Sequence, residues 1–589
     1  MTALLEHLRT HKTPARWLAA LRALVRTDSL WLIMLAAITG ILAGLAVSLI
    51  TFTTLLAHNL LAPGYKRLSG LEHVAPWRAL LVPAMGGLLL GLWHFYLQRH
   101  NRHRPVDPIE ANALHGGRMS LRDSLIVTGQ TILSNGCGIS LGLEAGFSQI
   151  GAAFGSRIGR NLRMHRADVR LLVGCGAAGA IGAAFDAPLA GAFYAFELII
   201  GSYAFPLLAP VACASLCALA VVHLSGETLP AIAVPLPQSV PLLAYPLLTV
   251  LGGLCALIGV SLMKSAAYME QVFATCIKPV WLRPMVGGLL VGGLAIISPT
   301  VLSSGHIAMR EGLVSPPLLG AALGLLVLKA AASTLSIGSG FRGGLFFASL
   351  YLGVLGGAAF ASLVAPIMDL PLGLCTVAGM CALATAIIGG PLTMILLTLE
   401  TTHSANLTAA VALTALVASF TVKRIFGYSF ATWRFHLRGE NIRSGVDVGW
   451  MRTLTVGRMM RTELDILPAD TTVASARTTF AGRMPRYIVL HDNQNHYAGL
   501  LESNLIQSIT IAPDQPLSAL VDTNMEVLAA DFSIGHAVAA FERTARPALA
   551  VTDRNNHVLG ILSERYVLRR YAEELERTRR ELAGEKHGR

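Results

Sequence analysis

Charged residues are scarce in this chain of 589 residues. Asp, Glu, Lys and Arg together make up 14% of it, hydrophobic residues make up 53%, and the mean hydropathy is +0.58. Soluble domains average about 25% charged residues, so this composition excludes an ordinary water-soluble fold for most of the chain. The sequence therefore predicts an integral, multi-pass membrane protein.

Metal-binding patterns are also missing. All eight cysteines lie between residues 137 and 381 in the apolar region, without the spacing of a metal site or of a disulfide-rich domain. No H-E-x-x-H sequence occurs, which excludes a zinc membrane protease of that class. We expect no metal site, no required cofactor and no enzymatic activity.

Acidic residues are outnumbered, at 34 against 46 Lys and Arg, which gives a formal charge of +12. The basic residues flank apolar segments and form no stripe with interleaved aromatics, so we do not expect nucleic acid as a partner. Five of them lie within residues 9–26, ahead of the first apolar run. This pattern predicts a cytoplasmic N-terminus without a cleavable signal, with the C-terminus also cytoplasmic and the protein in the plasma (inner) membrane.

Several apolar segments are long enough to enter or cross a lipid bilayer, which takes about 20 residues. They lie near residues 30–62, 77–97, 169–200, 205–224, 241–263, 284–303, 317–335, 345–365 and 405–422.

Three short patterns occur twice, at offsets of 201, 202 and 203. Internal repeats in the same order indicate two repeated halves, an architecture common among transport proteins. The matching sets are residues 83–91 with 284–292, then Gly142, Glu144 and Gly151 with Gly344, Phe346 and Gly353, and finally Pro188, Leu189 and Glu197 with Pro391, Leu392 and Glu400.

The composition becomes that of a soluble domain after about residue 440, and this part repeats at an offset of 61, with each copy predicted as helix, strand, turn, strand, helix. We therefore divide the chain as follows: a cytoplasmic segment 1–29, a transmembrane domain 30–440 with halves 30–225 and 240–425, soluble modules 450–510 and 511–572, and a charged tail 573–589.

Glu144 lies between glycines where an apolar segment restarts as a helix. Glycine lets a ligand approach the backbone, and the free N–H groups of a helix start, buried at membrane depth, attract an anion. Glu144 can fill such a site as a tethered anion and leave when it is protonated or outcompeted, which would make it a gate. The alternative is a glutamate that caps its helix.

A second segment, 340–347, also sets glycines before a helical apolar run. Two such helix starts facing each other would form one anion pocket. The alternative is close packing of helices through small residues.

These segments resemble the CLC family of chloride channels and proton–chloride antiporters. Its gating motif is similar to residues 142–146, and its other conserved segments are similar to residues 185–191 followed by Glu197, to 338–346 and to 391–400, while the tail is similar to a pair of CBS modules. The resemblance implies an all-α polytopic membrane fold, an inverted repeat of two halves, with a C-terminal α/β CBS pair. It also implies a homodimer with one pore per subunit that carries chloride or a similar anion.

The same resemblance implies roles for particular residues. Glu144 would be the gating glutamate. The anion would be bound by Gly142, Ala145, Gly146, Phe147, Gly344, Leu345, Phe346, Phe347 and Ala431.

The chain departs from the family at several places. The pore serine should fall near residues 104–107, where none occurs, and residues 134–138 lie too close to Glu144 to replace that loop. The prolines expected after the two pore motifs are replaced by Gly146 and Ala348. The position counted for the central tyrosine holds Ala431, with Phe430 and Tyr428 nearby.

Leu198 stands where the family's antiporters have a proton-relaying glutamate, and leucine carries no proton. This favours a passive channel over an antiporter with another internal proton route, and the resemblance leaves open whether such a channel is voltage-gated. We interpret Glu197 and Glu400 as structural hydrogen-bond acceptors, because buried ionisable groups need partners. A CBS-regulated cation transporter is more remote, since it would need a cluster of membrane carboxylates.

The soluble tail carries a segment, 560–566, that resembles the CBS nucleotide signature, with Ser563 as the candidate contact to an adenine nucleotide. Tyr566 replaces the aspartate that would bind ribose, and the first copy has Glu502 and Leu505 at the equivalent positions. The alternative is a dimerisation module without a ligand.

Overall fold

Helices make up most of the described structure up to residue 440. The computed structural model describes residues 29–61, 68–70, 74–100, 104–226, 240–440, 442, 454–492, 494, 496–508, 511–521 and 526–583. The chain divides into two compact units, Met1–Val446 and Asp447–Arg589, which are described separately below. Apart from Ser29, the predicted segment 1–29 lies outside the described residues, as do residues 584–589 of the tail.

Seventeen helices of the first unit lie within the described residues. They are α1 (Ser29–Leu61), α2 (Pro76–Arg99), α3 (Pro108–Leu114), α4 (Leu121–Gly136), α5 (Glu144–Asn161), α6 (Arg166–Phe185), α7 (Pro188–Tyr194), α8 (Phe205–Leu224), α9 (Ala244–Cys276), α10 (Arg283–Ile297), α11 (His306–Val314), α12 (Leu319–Gly338), α13 (Phe346–Val364), α14 (Leu372–Ile388), α15 (Pro391–Thr402), α16 (Ala405–Ile425) and α17 (Phe430–His436).

Nine of the helical stretches in the described part of the chain are long and apolar enough to cross a membrane. Each overlaps one of the predicted apolar segments, so the prediction of a multi-pass membrane protein with a helical fold is confirmed. The segment 169–200 is not one continuous helix, however. α6 ends at Phe185, Asp186 takes a left-handed φ of 56°, and Pro188 begins α7. A six-residue π-helical turn, Ala195–Ile200, follows α7 directly.

The second half breaks at the equivalent place. α14 ends at Ile388, Gly389 has a φ of 88°, and Pro391 begins α15. A left-handed residue ends a helix readily, and proline fits the first turn of the next one because it has no N–H to leave unpaired. The two halves therefore share a helix–break–helix unit as well as a sequence pattern.

Equivalent glycines allow equivalent helices to touch. A Cβ atom on Gly87 in α2 would lie 2.2 Å from the carbonyl oxygen of Pro284 in α10, and one on Gly288 would lie 2.1 Å from that of Pro83. No side chain fits at either position, so α2 and α10 cross backbone to backbone. The exchange of contacts between equivalent residues indicates a pseudo-two-fold relation of the two halves.

A short antiparallel bridge joins the glycine segments of both halves. Gly142 donates its N–H to the carbonyl of Gly344 at 2.9 Å, and Gly344 donates to the carbonyl of Gly142 at 3.0 Å. Because equivalent residues pair while running in opposite directions, the two halves have opposite orientations here. The bridge brings the starts of α5 and α13 together.

The second unit contains two copies of one small α/β module. The sheet orders are β1-β2-β3 and β4-β5-β6, each with one parallel and one antiparallel pairing. The strands are β1 (Ile466–Pro468), β2 (Tyr487–His491), β3 (Tyr497–Glu502), β4 (Leu528–Ala529), β5 (Ala548–Thr552) and β6 (Val558–Ser563). The helices are α18 (Val456–Met459), α19 (Val473–Thr479), α20 (Ser503–Gln507), α21 (Ile534–Thr544) and α22 (Glu564–Ala583).

The predicted order of helix, strand, turn, strand and helix omitted β1 and β4, which open each copy. These strands are three and two residues long, too short to give a periodic signal. The charged tail continues as part of α22 as far as Ala583.

The two copies meet through their strand-connecting turns. His496 and His557 form an antiparallel bridge, and their rings lie 5.2 Å apart. Each turn has an aspartate four residues earlier whose Oδ1 accepts the histidine N–H at 2.8 Å, Asp492 in the first copy and Asp553 in the second. The turns are thus built identically on both sides of the contact.

A candidate anion site between two helix starts

The carboxylate of Glu144 lies at the start of a helix from the other half of the molecule. Glu144 is the first residue of α5 and only 4% exposed. Its Oε1 accepts the N–H of Phe347, in the first turn of α13, at 2.7 Å. Its Oε2 is buried without a hydrogen-bond partner. A negative group therefore occupies the place where the free N–H groups and partial charge of α13 attract an anion.

Most of the predicted anion-binding residues gather around this carboxylate. Ala145, Gly344, Leu345 and Phe346 line the same cavity as Glu144, and so does Ala431 from α17. Gly142 holds the glycine bridge described above, and Phe347 donates to Glu144.

Gly146 and Phe147 do not line this cavity. The N–H of Phe147 donates to the carbonyl of Leu143 inside its own helix, and its side chain is buried in an apolar cluster with Ile150 and Val47. The backbone N–H of Phe147 is therefore used within α5.

Asp107 lies where the resemblance places the pore serine. It is the N-cap of α3, and its Oδ1 accepts the N–H of Ile109 at 2.9 Å. Asp107 also lines the cavity that contains Glu144. The start of α3, a second helix start at this cavity, is thus already capped by a carboxylate.

Four arginines line the cavity: Arg104, Arg342, Arg434 and Arg438. Arg104 and Arg438 are exposed, whereas Arg342 and Arg434 are partly buried, and the Nε of Arg342 is buried without a hydrogen-bond partner. Sequence reasoning missed this group. One signal was available, because Arg342 is a charge in the middle of the glycine segment 340–344.

Lys329 is a further cation that the sequence analysis passed over. It is fully buried in α12, and its Nζ donates to the carbonyls of Val301 at 3.0 Å and Ser303 at 2.9 Å. It also interacts electrostatically with Glu144. The signal was a single lysine within an otherwise apolar helix.

Glu197 and Glu400 cap helix starts across the two halves. Glu400 accepts the N–H groups of Leu189 and Ala190 in α7, each at 2.8 Å. Glu197 accepts those of Leu392 and Thr393 in α15, at 2.9 and 2.8 Å. The structural interpretation of both glutamates is confirmed by these bonds.

Within the described residues, no three His, Cys, Asp or Glu side chains are grouped so that they could hold a metal ion. In the second unit, Ser563 ends β6 opposite Ala548, and Tyr566 follows it in α22 with 39% of its surface exposed.

Sequence comparison finds a match to the model of the voltage-gated chloride channel family over residues 100–423, and to the CBS domain model over residues 517–573. A ClcB-like protein of Ralstonia nicotianae is 35% identical over 340 residues, covering 56% of this chain and 78% of its own. The voltage-gated ClC-type chloride channel ClcB of Salmonella typhimurium is 29% identical over 396 residues, covering 66% of this chain and 94% of its own.

Solved structures with the same fold include a slow cyanobacterial Cl⁻/H⁺ antiporter, with a TM-score of 0.59 and 21% identity, covering 69% of this chain and 97% of that one. A eukaryotic CLC transporter matches with a TM-score of 0.57 and 16% identity, covering 91% of this chain and 97% of that one. At these identities the likeness concerns the fold alone.

Proposed function

The chain belongs to the voltage-gated chloride channel (CLC) family and carries a C-terminal CBS pair, and on this premise we propose that it conducts chloride or a similar small anion passively across a membrane, with Glu144 as the gate. The bond from the Phe347 N–H to the Glu144 carboxylate carries the proposal. A carboxylate on a buried helix start stands in for the anion that would otherwise bind there. Conduction then requires this side chain to leave.

Protonation is the simplest way to release Glu144, because a neutral carboxyl gives up the charge-assisted part of its bond to the helix start. Acid should therefore open the pore. Glu144→Gln imitates the neutral form, so chloride flux into liposomes should be high and independent of pH in this variant. Glu311→Gln, at an exposed residue outside the cavity, is the matched control and should keep the pH response. A pH response in Glu144→Gln equal to that of the unchanged protein would remove Glu144 from the gate.

Two observations favour a channel over an antiporter. Leu198 lines the cavity and has no proton to carry. Its neighbour Glu197 already accepts two backbone N–H groups and the hydroxyls of Thr393 and Tyr203. Both oxygens of this carboxylate are thus already engaged as acceptors, two donors on each, which opposes proton relay through it.

The reversal potential of the purified protein separates these two functions. Under opposed chloride and pH gradients, a passive channel keeps its reversal potential at the chloride equilibrium value. An antiporter shifts it with the pH gradient. A shift would replace the channel by a proton-coupled exchanger with another internal proton route.

The remaining parts of the proposal rest on the family resemblance, the basic N-terminal pattern and the bacterial origin of the relatives. We place the protein in the inner membrane of a bacterium, with both termini in the cytoplasm, as a homodimer with one pore per subunit. The CBS pair would then be cytoplasmic, with Ser563 as a contact for an adenine nucleotide. Chemical labelling of Cys276 and of cysteines introduced in the tail, from each side of sealed vesicles, tests this orientation.

A further inference from the structure

The cavity next to Glu144 lacks both hydroxyl groups that the family resemblance led us to expect. Asp107 lies where the resemblance places the serine, and its Oδ1 already accepts the N–H of Ile109. Ala431 stands in place of the tyrosine and has no polar group. Tyr428 lines a separate cavity and shares a hydrogen bond with His436 at 3.2 Å. An anion moving past Glu144 therefore needs other donors.

Three hydroxyl side chains lie among the described residues that line the Glu144 cavity: Thr131, Ser148 and Tyr194. Thr131 donates to the carbonyl of Val127 at 2.9 Å, within its own helix. Ser148 reaches the carbonyl of Ala145 only at 3.5 Å, the limit of a useful bond. The side chains of Tyr194 and Ser148 lie close enough to interact with each other.

Each of these two hydroxyls carries one proton that it can donate. The Ser148 proton is held by at most the long contact to the carbonyl of Ala145. An ionised acceptor forms a stronger bond than a neutral carbonyl. A small anion would therefore readily accept a hydrogen bond from these hydroxyls.

The position of the pair fits an anion path. Ser148 lies one helical turn after Glu144 on the same face of α5, and it is 7% exposed. Tyr194, at the end of α7, interacts electrostatically with both Glu144 and Asp107. The two hydroxyls thus line the same cavity as its two carboxylates.

The charge of the cavity favours an anion there. Four guanidinium groups and two carboxylates line it, which leaves an excess of positive charge. The buried Nε of Arg342 has no hydrogen-bond partner among the described residues. Hydroxyl donors surrounded by excess positive charge suit a small monovalent anion rather than a cation.

We propose that the hydroxyl groups of Ser148 and Tyr194 bind the transported anion directly and supply the donors that Asp107 and Ala431 cannot. This inference rests on the proposed anion conduction. It places both donors in the first half of the chain, on α5 and α7.

The test removes single hydroxyls from the full-length protein. Tyr194→Phe and Ser148→Ala should each raise the Kd for chloride, measured by calorimetry on purified protein, by about tenfold, which corresponds to about 1.4 kcal/mol. Chloride flux into liposomes at low chloride should fall, because the weakened site is occupied less often. Tyr203→Phe removes a hydroxyl that donates to Glu197 outside the cavity, and it should leave the chloride Kd unchanged.

A second pair of variants guards against loss of folding. Ser148→Thr keeps the hydroxyl, whereas Ser148→Val has nearly the size of the Thr variant but no hydroxyl. Chloride should therefore bind well to the Thr variant and weakly to the Val variant. Equal Kd values in this pair, or an unchanged Kd in Tyr194→Phe, would overturn the proposal. So would an altered pH response with unchanged chloride affinity, which would assign the hydroxyls to proton transfer.

Failure of this inference differs from failure of the proposed function. If the unchanged protein moves no chloride in liposomes, anion conduction itself is wrong. If it moves chloride and the hydroxyl variants match it in Kd and flux, only the assignment of Ser148 and Tyr194 is wrong.

Discussion

Arg342 lines the cavity with a guanidinium group that the described chain satisfies only in part. Its backbone N–H donates to the Ser134 hydroxyl at 3.3 Å, while its Nε is buried without a partner. Arg104 and Arg434 lie near enough to interact with it electrostatically. Like charges held together in a cavity cost free energy, and a bound anion would offset that cost.

Replacing Arg342 should therefore weaken anion entry. In Arg342→Met we expect chloride flux at low chloride and low ionic strength to fall about tenfold, because a charged cavity raises the local anion concentration by about that factor or more. The loss should shrink at high salt, where charges are screened. Arg342→Lys keeps the charge and should lose less, and Arg78→Met, outside the cavity, should lose nothing. Equal flux in Arg342→Met and the unchanged protein at low salt would contradict this role.

At two helix starts, hydrogen bonds connect one half of the first unit to the other. Glu400 satisfies two N–H groups of α7, and Glu197 satisfies two of α15. The sequence predicted such bonds for both glutamates, because an unpaired carboxylate inside a membrane protein is too costly. It could not predict that each bond crosses to the other half, since that depends on how the halves pack.

Removing one of these charges should destabilise the protein. Glu400→Gln weakens bonds to two N–H groups, and hydrogen bonds to charged groups each contribute about 1.5–3 kcal/mol. We expect Glu400→Gln and Glu197→Gln to lower the thermal unfolding midpoint in detergent by several degrees. Glu311→Gln, at an exposed site, serves as the control. An unfolding midpoint equal to that of the control would show that the caps contribute little.

The paired turns of the soluble unit should respond to acid. The His496 N–H holds the pKa of the Asp492 carboxyl below its ordinary value, and the His557 N–H does the same for Asp553. A carboxyl with a lowered folded-state pKa stabilises the fold above its unfolded pKa of about 3.9, and that stability is lost as the pH falls through the folded pKa.

Hydrogen exchange of the full-length protein measures this effect. Peptides containing the His496 and His557 amides should lose protection between pH 6 and pH 3, after correction for intrinsic rates. Asp492→Asn should lower the protection of the first turn already at pH 6 and remove its acid response. Asp514→Asn, at an exposed residue, is the control. An acid response that persists in Asp492→Asn would assign it to another group.

The whole molecule consists of two units that the contacts within the chain separate at Val446. The Salmonella relative is matched over 94% of its length by only 66% of this chain. The family match at residues 100–423 lies within the first of these units.

A chain that ends at Val446 should accordingly still conduct chloride. We expect its flux in liposomes to stay within about twofold of the full-length protein, since domains of this kind generally fold by themselves. The same truncation in the Glu144→Gln background controls for altered gating. A truncated protein that inserts and remains stable in detergent but moves no chloride would show that the soluble unit is needed for conduction.

The large features of this molecule were predictable from its sequence because they occur twice. Three sequence patterns that recur at a nearly constant offset indicated the two halves of the transmembrane domain. Residues that recur at an offset of 61 indicated the two C-terminal modules. The cavity was less predictable, because Tyr194 and Ser148 lie 46 residues apart and nothing local links them. Arg342 and Arg434 likewise come near each other only in the folded chain, where both line the cavity of Glu144.

The cap from Glu400 to α7 also has a consequence for synthesis. Leu189 and its acceptor are 211 residues apart. At the usual pace of translation, the ribosome needs roughly 10 to 40 s to make that stretch. Throughout this interval the nascent α7 lacks the carboxylate that accepts its two backbone amides in the folded protein. The first half therefore cannot reach its final form by itself, and the cap on α7 is completed only after synthesis has passed Glu400.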